Sequence, residues 1–216
     1  MPLITELELK RQIQENKMSN CYLFYGSEDY LKQFYTNKIC QKFVTPGSET
    51  FSLRKYDGKD NTLDEVLEGA QSMPFMSEKN CVVIKDLAVD KMKNDDFEVL
   101  LDLLGDPPET CVMVFWMDSI ALDEKKDKAK AFIKAIDDAG VVLRLDKMSG
   151  SQLFKLLENG AKKRGCEMSR DVSTYLVKRV GDELNMLLNE LEKLCFYKGE
   201  GELTRRDVDA VCVRSL

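Results

Sequence analysis

Between Asn20 and Leu145 the sequence alternates short apolar runs with segments of helical period, and this alternation limits the fold more than any other feature. Asn20-Cys-Tyr-Leu-Phe-Tyr25 is stopped by Gly26 and reads as a buried strand. Tyr30 to Val44 places Leu31, Phe34, Tyr35, Ile39 and Phe43 on one face of a helix. Phe51 to Tyr56 alternates like a strand and meets the turn signal Asp57-Gly58. Thr62-Leu-Asp-Glu65 is a capping box, followed by Val66, Leu67 and Ala70. Cys81-Val-Val-Ile84 is a third strand. Phe97, Leu100, Leu101 and Leu104 mark a helix that Gly105 and Pro107-Pro108 end. Thr110 to Met117 is the most apolar strand. Lys125 to Asp138 is a charged helix, and Val141 to Leu145 closes the series. Strands that are apolar on both faces and separated by helices form a parallel sheet covered on two sides. Five such strands predict a doubly wound α/β domain over residues 1–146.

After Asp146 the pattern changes. No strand-like run follows Leu145, and all five prolines lie at or before residue 108. Ser149-Gly-Ser-Gln152 opens a helix that runs to Lys163 before Gly165. Ser169 caps a second, with Val172, Tyr175, Leu176 and Val180 on it. Asp182 opens a third, carrying Leu184, Leu187, Leu188, Leu191 and Leu194. Thr204-Arg-Arg-Asp207 opens a fourth. Residues 147–216 are predicted to be a small all-helical domain.

Length and composition allow this. The 216 residues suffice for two domains, and 44% apolar with 32% charged residues is a core-forming composition. No apolar run approaches the ~20 residues of a membrane helix. Met1 to Asn16 has no secretory apolar region, so a cytoplasmic protein is expected. The seven cysteines are scattered through apolar patterns and are expected to be free thiols. With no histidine in the chain, His-based metal ligation and Ser-His or Cys-His nucleophile pairs are excluded. No cofactor or metal is expected. The first 146 residues carry 19 Lys/Arg against 27 Asp/Glu, and the remainder 13 against 11. Such an acidic domain is poorly suited to hold nucleic acid unaided.

Gly26-Ser-Glu-Asp-Tyr-Leu-Lys-Gln33 lies where a P-loop would sit, between a first strand and a helix. A working P-loop reads G-x-x-x-x-G-K followed by Ser or Thr. Gly26 and Lys32 fall on the first Gly and the Lys. Leu31 replaces the second Gly, and Gln33 replaces the magnesium-binding hydroxyl. Glu28 and Asp29 put negative charge where phosphate would lie, though they suit a helix N-terminus without an anion. A hydrolase of this kind also needs a strand ending in adjacent acids. Asp86 is present after Val82-Val-Ile-Lys85, but Leu87 takes the second acid's place. The reading favoured is a degenerate nucleotide site at Gly26, Glu28, Asp29, Leu31, Lys32, Gln33 and Asp86, with no catalytic residue. The alternative is an ATPase with a degenerate P-loop.

Gln71-Ser-Met-Pro-Phe-Met76 follows a helix that Pro74 prevents from continuing. Phe75 and Met76 are large apolar residues in a loop before the polar Ser77-Glu-Lys-Asn80. Such a pair either packs on its own domain or meets a partner. The lysines of residues 125–134 read as a solvated face, and Trp116 as core.

Several of these segments, in this order, resemble the delta subunit of the bacterial DNA polymerase III clamp loader. Tyr22-Leu-Phe-Tyr-Gly-Ser-Glu-Asp29 is similar to that family's first strand and acidic G-x-E/D-D turn. Met73-Pro-Phe-Met76 and the strand after it resemble its M/L-P-F-F/M tip. Asp106-Pro-Pro-Glu-Thr110 resembles its D/N-P-P-x-T. Val180-Gly-Asp-Glu-Leu184 with Asn189-Glu-Leu-Glu-Lys-Leu194 resembles its lid-domain signature.

The resemblance implies an AAA+-like P-loop NTPase fold with a five-stranded, mainly parallel sheet, then a helical lid. It implies a non-catalytic subunit of DNA replication that binds the sliding clamp (beta) and opens its ring. Gln71, Met73, Pro74, Phe75 and Met76 stand at the clamp-binding positions, and Met76 departs from the commoner Phe or Leu. The implied partners of the full-length protein are the gamma/tau and delta prime subunits, with primed DNA reached indirectly. A DNA-directed DNA polymerase or nucleotidyltransferase activity would belong to the holoenzyme. The family's third, collar domain has no counterpart here. The sequence is therefore expected to be a fragment or truncated form that binds a clamp but joins other loader subunits poorly.

Overall fold

The computed structural model describes residues 4–75 and 77–212. They fall into two compact units, Met1–Lys147 and Met148–Leu216.

The first unit is built on a five-stranded sheet. Its strands are β1 Cys21–Tyr25, β2 Leu53–Asp57, β3 Asn80–Lys85, β4 Cys111–Trp116 and β5 Val141–Arg144. Their spatial order is β2-β3-β4-β1-β5, and every pairing is parallel. The order reverses beside β1: the chain leaves β1 toward β2 on one side and leaves β4 toward β5 on the other. In open α/β sheets a crevice forms at such a switch point, at the carboxyl ends of the strands.

The apolar runs form strands because both of their faces are covered. Cys21, Leu23, Val82, Ile84, Met113, Phe115 and Val142 point to one face. There they pack with Val66 and Ala70 of α4 (Leu63–Gln71), Leu100 and Leu104 of α5 (Asn94–Gly105), and Phe132 and Ile136 of α6 (Asp127–Ala139). Phe115 and Phe132 meet edge to face at 5.2 Å. The opposite face is covered by α2 (Asp29–Phe43), whose Tyr35 ring packs on Phe24. The predicted capping box at Thr62 and Glu65 is formed.

Some local expectations are corrected. An N-terminal helix, α1 (Glu6–Gln14), buries Leu9 and Ile13 and is tied to α2 by the Tyr35 hydroxyl, which donates to Glu6 at 2.7 Å. Phe51 is not in a strand. It belongs to a single helical turn, α3 (Glu49–Ser52), and the strand begins only at Leu53. Trp116 is half-buried rather than core, with the Lys85 ammonium over its ring. Among the described residues no helix is long and apolar enough to cross a membrane.

The second unit contains α7 (Gly150–Lys162), α8 (Arg170–Val180), α9 (Leu184–Lys198) and α10 (Arg205–Val211). Leu157, Leu176, Leu187, Leu191, Leu194 and Val208 are wholly buried in it. A Cβ on Gly160 would lie 2.8 Å from a methyl of Leu191, so glycine lets α7 approach α9. The unit is not purely helical. Cys166–Glu167 (β6) and Gly201–Glu202 (β7) pair as two short parallel strands, too brief to leave an apolar pattern. All seven cysteines are buried free thiols, and burial pushes those of Cys21 and Cys111 up to about 12.

Candidate functional site

Two sets of residues singled out in the sequence lie at opposite ends of the same sheet. One lies at the carboxyl ends of the strands, where Gly26 and Asp29 line a crevice beside β1, β4 and β5. The other precedes β3.

At the crevice, Gly26 has φ +109°, and a Cβ there would fall 2.2 Å from the Leu145 carbonyl oxygen. Glycine is required because the turn packs against the end of β5, and the Glu28 amide donates to that same carbonyl at 2.9 Å. Lys32 is 1% exposed. Its ammonium donates to the Gly26 carbonyl at 2.8 Å and to the Met117 carbonyl, and pairs with Asp29 at 2.8 Å. Leu31 is buried, and Gln33 is exposed. The crevice, about 490 Å³, presents Asp29, Asp118, Glu124 and Asp146 against one guanidinium, that of Arg144. Arg144 is itself paired with Glu124 and Asp146, each at 2.7 Å. Burial works against ionisation of Asp146, but Arg144 and the Ser27 amide and hydroxyl outweigh it and hold the carboxyl below the usual range.

Asp86 is fully buried in the left-handed region, at φ +53°. Its carboxylate accepts from the amides of Asp118 (2.7 Å), Ser119 (3.0 Å) and Ile120 (3.4 Å) and from the Ser119 hydroxyl (2.5 Å). Lys59 stands 3.6 Å away. Burial favours the neutral acid. The hydrogen bonds from Ser119, Asp118 and Ile120 overcome it, and the carboxyl stays below the usual carboxylate range. Asp86 thus holds the loop after β4 in place.

A magnesium nucleotide does not fit these residues. The lysine that would reach phosphate is enclosed by protein oxygens, the acid that would hold magnesium is saturated by backbone donors, and the crevice wall is anionic. Among the described residues no group of three or more His, Cys, Asp or Glu side chains is placed to hold a metal ion.

At the other end of the sheet, α4 stops after Gln71, which is exposed. Ser72 turns the chain, with its hydroxyl on the Gly69 carbonyl at 2.8 Å. The buried Asn80 amide clasps the Ser72 carbonyl at 2.6 Å and so closes the base of the loop. Between these ties Met73 is 78% exposed and Phe75 56% exposed, with Pro74 half-buried between them. Met76, the remaining residue singled out here, lies outside the described residues.

Sequence reasoning missed what fixes this loop. The Ser52 hydroxyl, itself buried, donates to the Phe75 carbonyl at 2.8 Å. The Ser48 and Ser77 hydroxyls share a 2.6 Å hydrogen bond, and the Thr45 amide donates to Ser77 at 3.2 Å. The Phe51 ring meets Phe75 edge-on at 5.4 Å. These partners are 23 to 32 residues apart in sequence, so no local pattern announces them.

Residues 22–145 match the family model of the DNA polymerase III delta subunit. The chain belongs to that family. A curated relative, DNA polymerase III subunit delta of Bacillus subtilis (strain 168), is 26% identical over 213 residues. The match covers 95% of this chain and 60% of the relative, so the chain spans about three-fifths of the relative's length. A solved structure, the Bacillus subtilis DNA clamp loader delta protein, aligns with a TM-score of 0.74 at 23% identity, over 97% of this chain and 62% of that one. The Thermotoga maritima RuvB Holliday junction branch migration motor aligns with a TM-score of 0.52 at 10% identity, over 95% of this chain and 65% of that one. At those identities the likeness is of fold, and the fold of this delta-family chain is AAA+-like.

Proposed function

We propose that this chain is the clamp-contacting part of a clamp-loader delta subunit, acting without hydrolysing ATP itself. Residues 1–146 form its AAA+-like domain and residues 147–216 its lid. The loop of Gln71, Met73, Pro74, Phe75 and Met76 docks on the ring-shaped sliding clamp. The α/β unit holds the loop rigid, and the bound geometry favours an open ring. Energy for the cycle comes from ATP on other subunits of the loader. Those neighbours are the gamma/tau and delta prime subunits, and primed DNA is met through the assembled loader.

The observation that supports this most is the exposure of Phe75, 56%, in a loop pinned at its base. A scaffold without clamp contact would have packed that ring on its own domain. Burying one large apolar side chain is worth roughly 1.5–3 kcal/mol, so a ring held in water marks a surface that gains from a partner. Membership of the delta family supports a sliding clamp as that partner.

The test is retention of purified clamp by the immobilised chain, with and without Phe75→Ala/Met76→Ala. Loss of two central anchors should weaken binding by about 2–4 kcal/mol, roughly 30- to 1000-fold. Undiminished retention would contradict the reading. The rival, an ATPase with a degenerate P-loop, keeps Gly26 and Lys32 as its support, and their mutual hydrogen bond weighs against it.

A further inference from the structure

The docking loop does not stand alone. β2 and β3 are adjacent, parallel and in register from Leu53 opposite Cys81, so the segments that lead into them emerge at the same end of the sheet. One segment carries Phe51 and the other Phe75. Their rings meet at 5.4 Å with planes 67° apart, an edge-to-face pair. Both remain 56% exposed.

Hydroxyl bonds make the two segments one body. Ser52 holds the Phe75 carbonyl, and Ser48 and the Thr45 amide hold the Ser77 hydroxyl. A partner therefore meets two phenylalanines already fixed with respect to each other, and little ordering cost remains on binding. Phe34 offers a contrast within the same unit. It is 38% exposed, stacks on Tyr30 and lies under the Lys38 ammonium, so its ring is covered by its own helix.

We infer that Phe51 is a second, direct apolar anchor of the surface that carries Phe75, filling an apolar recess on the clamp beside the one that takes Phe75. This rests on the clamp-docking reading above and extends it to a segment outside the Gln71–Met76 loop. Ser52 is a positioning residue for both rings.

The experiment is an equilibrium titration of labelled clamp with the whole chain and with Phe51→Ala, Phe75→Ala, the double variant and Phe34→Ala. Thermal melting of each variant checks that it is folded. The inference predicts that Phe51→Ala weakens binding about tenfold. It also predicts a further several-fold loss when Phe51→Ala is added to Phe75→Ala, and no change for Phe34→Ala. Weakening by Phe75→Ala with none from Phe51→Ala would overturn the inference and leave the docking reading standing. A loss from Phe51→Ala that vanishes in the Phe75→Ala background would make Phe51 a mere buttress and also overturn it. If neither substitution matters, the docking reading itself fails.

Discussion

The ammonium of Lys32 lies 2.8 Å from the carbonyl oxygen of Gly26. These are the two residues that this chain shares with a working P-loop, and they are bonded to each other. The Met117 carbonyl and Asp29 complete the enclosure. The lysine thus joins the first turn of α2 to the ends of β1 and β4, and its charge is neutralised from within the protein. A residue in the position of a phosphate ligand serves here as a structural tie.

This assigns Lys32 a stability role. Lys32→Met removes the donor from two carbonyls and leaves Asp29 without its partner. Urea denaturation should show a loss of about 3 kcal/mol. A lysine that served a nucleotide would behave the other way: its removal would abolish Mg-ATP binding and leave stability nearly unchanged.

Asp86→Asn separates charge from shape. Asparagine tolerates φ +53°, so the backbone need not move. The hydrogen bonds to Asp118, Ser119 and Ile120 should weaken, at a cost of about 2–3 kcal/mol near neutral pH. The carboxyl is held below its unfolded value, so its stabilisation is complete above roughly pH 4 and fades as pH falls through the folded pKa. The gap between the two proteins should therefore close on acidification, as denaturation curves at a series of pH values would show. A gap that widened toward low pH would contradict this.

Ser52→Ala tests the clasp that presents Phe75. The hydroxyl is fully buried and its bond is 2.8 Å long. Removing it should cost about 1 kcal/mol of stability. Amide exchange should rise in residues 72–77, and clamp affinity should fall several-fold although no contact atom has been removed.

The sheet could be read from the sequence because its central strands, β1, β3 and β4, are buried on both faces. Cys81-Val-Val-Ile84 and Cys111 to Met117 leave uninterrupted apolar runs that helical segments separate. Capping boxes were as readable, because Thr62 and Glu65 satisfy each other within one turn. Phe51 was misplaced because nothing local separates a helical turn from the strand that follows. The turn is held by Ser48 and Ser52 bonding to Ser77 and Phe75, more than twenty residues on. α1 was missed because Leu9 and Ile13 are its buried residues in a polar stretch, and their burial depends on the fold around them. The degenerate nucleotide motif could be recognised by what it lacks. What Lys32 and Asp86 do instead depends on Met117 and on residues 118–120, and only the folded sheet brings these close.

On the function proposed above, clamp binding belongs to the apolar surface around Phe75 and needs no nucleotide on this chain. The most direct measurement is the dissociation constant for purified clamp, with and without Mg-ATP, for the unmodified chain and for Phe75→Ala/Met76→Ala. One affinity is expected in both conditions for the unmodified chain, and a fall of roughly 30-fold or more for the variant. Binding that required Mg-ATP, or that survived the double substitution, would contradict it.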